Sequence, residues 1–121
     1  MTQEDRQILL KDLSSRLPYG VKINENTQGD FTVIGLTMER VFTTCETEGC
    51  HNDFPIECVK PYLFPLSSIT KKTLEELSAY IDIKNAYVAV EFFNSHHIDY
   101  RGLIENGLAI EAPKAMYKNQ Q

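Results

Sequence analysis

The hydrophobic period of the chain changes at Pro18 and Gly20, and this change constrains the fold more than any other feature. Before it, Leu9, Leu13 and Leu17 recur every four residues, with Ile8 and Leu10 widening the stripe and Asp5, Arg6, Lys11 and Asp12 pointing elsewhere. That spacing predicts an amphipathic helix over residues 2–17, capped by Thr2, with Glu4 and Asp5 favourable to its dipole and Pro18 and Gly20 ending it. After it the period is two. Val21 and Ile23 alternate with Lys22 and Asn24, and a polar stretch holding Gly29 leads into Phe31-Thr32-Val33-Ile34-Gly35-Leu36. This reads as an antiparallel hairpin, extended by Val41-Phe42-Thr43-Thr44, with Gly35 at a bulge or strong twist.

Residues 46–55 form an acidic segment punctuated by Gly49 and Pro55 and carrying Cys50 and His51, and it reads as a loop. Residues 56–59 suit another strand. Pro61 and Pro65 each remove a backbone donor, which makes residues 60–66 an extended edge or connector rather than a central strand. Thr70 caps a second predicted helix over residues 71–81, with Leu74, Leu77 and Ile81 on one face. Residues 85–98 favour a third helix, since Asn94-Ser95-His96-His97 is too polar to prolong a buried strand. Leu108-Ala109-Ile110 is a short strand. The expected architecture is α+β: an antiparallel sheet of three to five strands, with scope to curl toward a barrel, packed with an N-terminal helix and one or two later helices. Residues 1–121 make one domain, globular over 1–112 and ending in a flexible tail over 113–121.

Charge argues against one large class of partner. The chain has 17 acidic against 12 basic residues, a net charge of −5, and its longest basic run is the pair Lys71-Lys72. Nucleic-acid binding takes its affinity from a basic face, so nucleic acid is not an expected partner. The polar, acidic start and the absence of a long apolar run predict no membrane insertion and no export. Three cysteines, an odd number, suit a reducing cytoplasm rather than a disulfide framework.

Two constellations have the residue types for chemistry. Cys45, Cys50, His51 and Cys58 supply the three thiols and one imidazole of a structural zinc site, although four residues separate the first two and Cys58 stands alone. Such cysteines also serve as small apolar filling, and no cofactor is assigned. The run His96-His97-Ile98-Asp99 holds the groups of an acid–base pair. Adjacent side chains diverge by about 100° on a helix and about 180° on a strand, so only one histidine can join Asp99. The structural reading of the same residues requires less coincidence and is preferred: imidazoles in a last helical turn bond free carbonyls, while Asp99 and Arg101 pair across the turn before Gly102. The six glycines are isolated and form no phosphate loop. No serine or cysteine has the surroundings of an acyl-transfer nucleophile.

Several segments carry a resemblance: Arg16-Leu17-Pro18-Tyr19-Gly20-Val21, Val59-Lys60-Pro61-Tyr62-Leu63, Pro65-Leu66-Ser67-Ser68-Ile69-Thr70, and Asn94-Ser95-His96-His97-Ile98-Asp99-Tyr100-Arg101-Gly102-Leu103-Ile104, followed by Gly107-Leu108-Ala109 and Glu111-Ala112-Pro113. Together they resemble a group of small proteins of unassigned activity carried by phages, prophages and mobile elements of gut Bacteroidales. In that group an Arg is common at the position of Phe64 and a Phe at that of Ile98. The resemblance implies a bacterial cytoplasmic setting and a small accessory role.

Negative charge, the lack of a coherent catalytic motif and aromatic residues beside Pro or Gly turns point to a noncatalytic protein-interaction or regulatory module with a protein partner, self-association included. Tyr19, Tyr62, Phe64, Tyr100 and Arg101 are its candidate contact residues. The competing readings are a small hydrolase or metal-dependent enzyme using His96 or His97 with Asp99, and a zinc-stabilised binding module.

Overall fold

A computed structural model describes residues 1–44, 51–72, 75, 78 and 86–117. Helix α1, Gln3–Arg16, starts with a capping box: the Asp5 N–H donates to Thr2 Oγ1 and the Thr2 N–H to the Asp5 carboxylate. It buries Leu9, Asp12, Leu13 and Arg16, so its inner face holds an acid and a base as well as two leucines. Ile8, read as part of the stripe, lies outside it and is exposed. A 3-10 turn over Leu17–Tyr19 and Gly20, at φ 69°, then redirect the chain.

Strands β1 (Lys22–Glu25), β2 (Gly29–Leu36), β3 (Arg40–Thr44) and β4 (His51–Pro55) pair antiparallel in succession. The register of β2 against β3 shifts between Val33 and Gly35, where the sequence places a bulge. Strand β4 corrects the loop reading for residues 51–55, because its backbone pairs with β3 from Thr44↔His51 to Arg40↔Pro55 and Phe54 drops into the core, while residues 46–50 lie outside the described residues. Residues 56–59 are no strand along their length: Ile56–Cys58 is a 3-10 turn.

Strand β5, Val59–Pro65, corrects the expectation of an edge or connector. It pairs antiparallel with β1 and parallel with two short strands, β6 (Ile98–Asp99) and β7 (Ile110–Glu111). Both its edges are bonded: the Phe64 N–H donates to the His97 carbonyl at 2.8 Å, and the Leu63 carbonyl accepts from the Ala112 N–H at 2.7 Å. Helix α2, Ala86–Ser95, lies on the crossover from β5 to β6, which parallel pairing requires. The sheet is therefore mixed rather than antiparallel and, among the described residues, has seven strands rather than three to five. It is open rather than barrel-like, running β4-β3-β2-β1-β5-β6 with β7 beside β5.

Of the predicted helix over residues 71–81, Lys71, Lys72, Glu75 and Ser78 are helical; Leu74, Leu77 and Ile81 lie outside the described residues. No helix among the described residues is long and apolar enough to cross a membrane.

One sheet face carries the main core, in which Leu9 and Leu13 of α1 meet Val21, Ile23, Phe31, Val33, Val41, Val59 and Leu63, closed below by Leu103, Leu108 and Ala109. Strand alternation sends Phe64 to the other face, where it packs with Ala112 and Tyr117 and with the half-buried Tyr62 and Met116. The segment read as a flexible tail thus delivers Tyr117, 8% exposed, to a second small core. Residues 118–121 lie outside the described residues.

Candidate functional site

The run from Asn94 to Arg101 folds as a helix end, a reversal and a short strand, and each polar side chain in it is assigned to one of these. Helix α2 closes with the His96 N–H on the Phe92 carbonyl and the His97 N–H on the Asn94 carbonyl. The His96 ring stacks on Phe92, centroids 4.2 Å apart, and its Nδ1 lies 3.0 Å from the Phe92 carbonyl and 3.1 Å from Ser95 Oγ. It is an imidazole bonding a last-turn carbonyl. His97 then takes φ 56°, a left-handed conformation uncommon outside glycine, and turns the chain into β6.

His97 is 3% exposed. Its Nε2 meets the Tyr19 carbonyl at 3.2 Å, its ring lies on Tyr117 with centroids 3.8 Å apart, and its Nδ1 is buried without a hydrogen-bond partner. Burial, reinforced by the Arg16 guanidinium, lowers its pKa to about 4 against the Tyr19 hydrogen bond that favours charge. The ring is a neutral structural imidazole at physiological pH.

Asp99 binds neither imidazole. Its two oxygens accept the Leu103 and Ile104 N–H groups, both at 2.9 Å, and so hold the turn that follows Gly102. The His–Asp acid–base pair is not assembled. Nor does Arg101 pair with Asp99: its guanidinium donates to Asp12 Oδ1 at 2.8 Å, on the far side of the chain's topology. Asp12 and Arg16 are the residues that sequence reasoning missed. Arg16 Nε donates to Asp12 Oδ2 at 2.9 Å, and its other nitrogens reach the Phe93 and Ile98 carbonyls at 3.2 and 2.6 Å, with both side chains fully buried. Their signal was present, since Leu9, Asp12, Leu13 and Arg16 follow the i, i+3, i+4, i+7 spacing of one helix face.

Tyr100 stacks on Phe93 at 5.5 Å, lies beneath the Arg101 guanidinium at 4.5 Å, and donates its hydroxyl to Asn94 Oδ1 at 3.0 Å. This arrangement clamps α1, α2 and β6 together. Both Asp12 oxygens and both Asp99 oxygens are occupied and the free His97 nitrogen is sealed, so neither Asp12 nor Asp99 pairs with an imidazole.

The remaining candidates scatter. Tyr19 is 40% exposed and offers its carbonyl to His97, whereas Phe64 is 6% exposed and belongs to the core rather than to a contact surface. Tyr62 donates its hydroxyl to Asp30 at 2.7 Å, and burial followed by that carboxylate holds its phenol above the ordinary pKa. Of the zinc set, Cys58 is exposed and free, Cys45 and Cys50 lie outside the described residues, and of His51 only the backbone, in β4, is described. Among the described residues no three His, Cys, Asp or Glu side chains gather as a metal site.

A different surface stands open. On the outer face of β2 and β3, Ile34 is 52% and Phe42 38% exposed, and Met38, in the turn joining them, is 78% exposed. Phe42 pairs with Gly35 on one side and Asp53 of β4 on the other. Arg40 and Asp53 form an ion pair across β3 and β4 on that same face. Comparison of the chain with protein-family models, curated proteins and solved structures yields no match.

Proposed function

We propose that the chain is a noncatalytic interaction module, an accessory protein of a phage or mobile element, that binds a protein partner on the outer face of β2 and β3 beside the edge of β4. The single observation that carries this reading is the exposure of Ile34 and Phe42 on one face beside a terminal strand, with Met38 exposed in the adjoining turn. Exposed aromatic, Met and Arg side chains are the types enriched at interfaces. The outer edge of β4 pairs with no strand among the described residues, so an extended segment of a partner can add to it while another part of the partner covers Phe42 and Ile34, two and three strands in from the added segment. The occupation of His97 and Asp99 by structural bonds supports the same reading from the other direction.

The test is affinity capture from bacterial host lysate with the wild-type chain and the double variant Ile34→Thr, Phe42→Thr, which removes apolar surface while keeping strand preference. A partner retained by the wild type and lost from an equally stable variant is the expected result. Equal recovery by both proteins, or no partner and a monomer by sedimentation, overturns the reading.

A further inference from the structure

Residues 113–117 cross the second core and end with a phenol in the gap where β1 and β5 part. The ladder between these strands runs from Glu25↔Val59 to Ile23↔Pro61. Beyond it, the Lys22 N–H donates to the Tyr117 hydroxyl at 2.9 Å, and that hydroxyl donates to the Tyr62 carbonyl at 2.8 Å. The phenol bridges the two strands where their direct pairing stops, and Lys22 loses this partner whenever Tyr117 leaves.

The opposite side of the contact is the His97 ring, stacked at 3.8 Å with an interplanar angle of 20°. The Tyr19 carbonyl requires a donor, so the proton sits on Nε2, and Nδ1 is a buried acceptor with nothing facing it. A second proton there would meet no acceptor. It would also place a charge beside Arg16 of α1, with His96 in the adjoining turn adding to the penalty. The nearby carboxylates are engaged elsewhere, Asp12 with Arg16 and Arg101, and Asp99 with Leu103 and Ile104. The other titratable groups at the contact, Tyr117 and Tyr62, have phenols pushed up by burial and stay neutral in acid.

We propose that residues 113–117 are an acid-releasable strap: protonation of His97 breaks its stack with Tyr117, the phenol leaves the β1–β5 gap, and the segment opens while the sheet stays folded. Opening uncovers Phe64 and Tyr62, so the aromatic surface hidden at neutral pH becomes available to a partner in acid. The strap stands independently of any binding at β2 and β3. Its sign follows from the imidazole, which takes up a proton near pH 6.5 when solvated and near pH 4 when covered. Protons therefore favour the open form across that window, and the opening constant rises roughly twentyfold from pH 7 to pH 5.

Native-state amide exchange on the full chain, corrected for intrinsic rates, reads this directly. The Lys22 amide is the reporter of the strap, and the Val33 amide, bonded to the Val21 carbonyl at 3.0 Å, is the reporter of the sheet. The expected result is a Lys22 opening constant larger than that of Val33, insensitive to low urea, and rising about twentyfold between pH 7 and 5. His97→Phe, which keeps a stacking ring, and His97→Asn, which tolerates the left-handed backbone, flatten the rise in whichever of them folds. Lys22 tracking Val33 in size and urea dependence, a flat pH profile, or a rise that survives in the folded variant overturns the proposal.

Discussion

Asp12 is buried between two guanidinium groups, accepting from Arg16 at 2.9 Å and from Arg101 at 2.8 Å, and its removal leaves Arg16 charged, dry and unpaired. Breaking such a pair costs more than the pair contributes. Asp12→Ala is therefore expected to destabilise the protein by about 3–5 kcal/mol. Arg101→Ala, whose side chain is 18% exposed and which leaves the Asp12–Arg16 bond in place, should cost only about 1 kcal/mol. Urea-unfolding midpoints of the two variants check the order. The residues on which this clamp depends were only half legible. The spacing of Asp12 and Arg16 places them on the apolar face, but a period does not say what neutralises a charge there; Arg101, 89 residues away, is supplied by the fold. The histidine run offered two readings, and its minority one, the His96–Asp99 pair, required a contact that the local spacing does not secure. His96 and Asp99 have helical spacing, yet the helix stops at Ser95 and His97 reverses the chain before Asp99 is reached.

Elements built on local rules were the readable ones. The Thr2 cap, the Pro18 and Gly20 stop, the β1–β2 hairpin and the bulge near Gly35 all stand where side-chain chemistry and period two place them. Strands β4 and β5 were not readable, because each is made by its neighbours. Pro61 withholds a donor, but the strand around it is flanked by β1 and β7, and the Tyr117 phenol bridges the β1–β5 gap one residue further on. Strands β6 and β7 have two residues each, too few for any period. Two glycines separate these cases experimentally. Gly102 has φ 75°, so Gly102→Ala is strained wherever its side chain lies and should cost about 1 kcal/mol. Gly35 has an ordinary backbone, and a methyl there would meet Phe42 at 3.8 Å, an ordinary contact, so Gly35→Ala should shift stability by less than about 0.5 kcal/mol. Thermal midpoints of the two variants decide it.

For the molecule as a whole, the buried neutral His97 makes stability depend on pH in a stated direction. Its folded pKa, about 4, lies below the 6.5 of the exposed ring, so between these values the unfolded chain binds more protons than the folded one. The contribution is complete above pH 6.5 and is lost as pH falls to 4, amounting to about 3 kcal/mol over the window. Denaturant titrations at pH 7, 6, 5 and 4 should show that slope, shallower in His97→Asn, and a wild-type profile as shallow as the variant's counts against it. The sequence by itself determined the helix at the start, the hairpins after it and the α+β class, because each follows from neighbours within a few positions. The tertiary structure alone decided that the sheet is mixed and open, that Arg101 reaches Asp12 rather than Asp99, and that Tyr117 is core rather than tail. Those outcomes depend on which distant backbone and charge meet once the chain has closed, and no local period encodes a meeting between residues 16 and 98 or between 22 and 117.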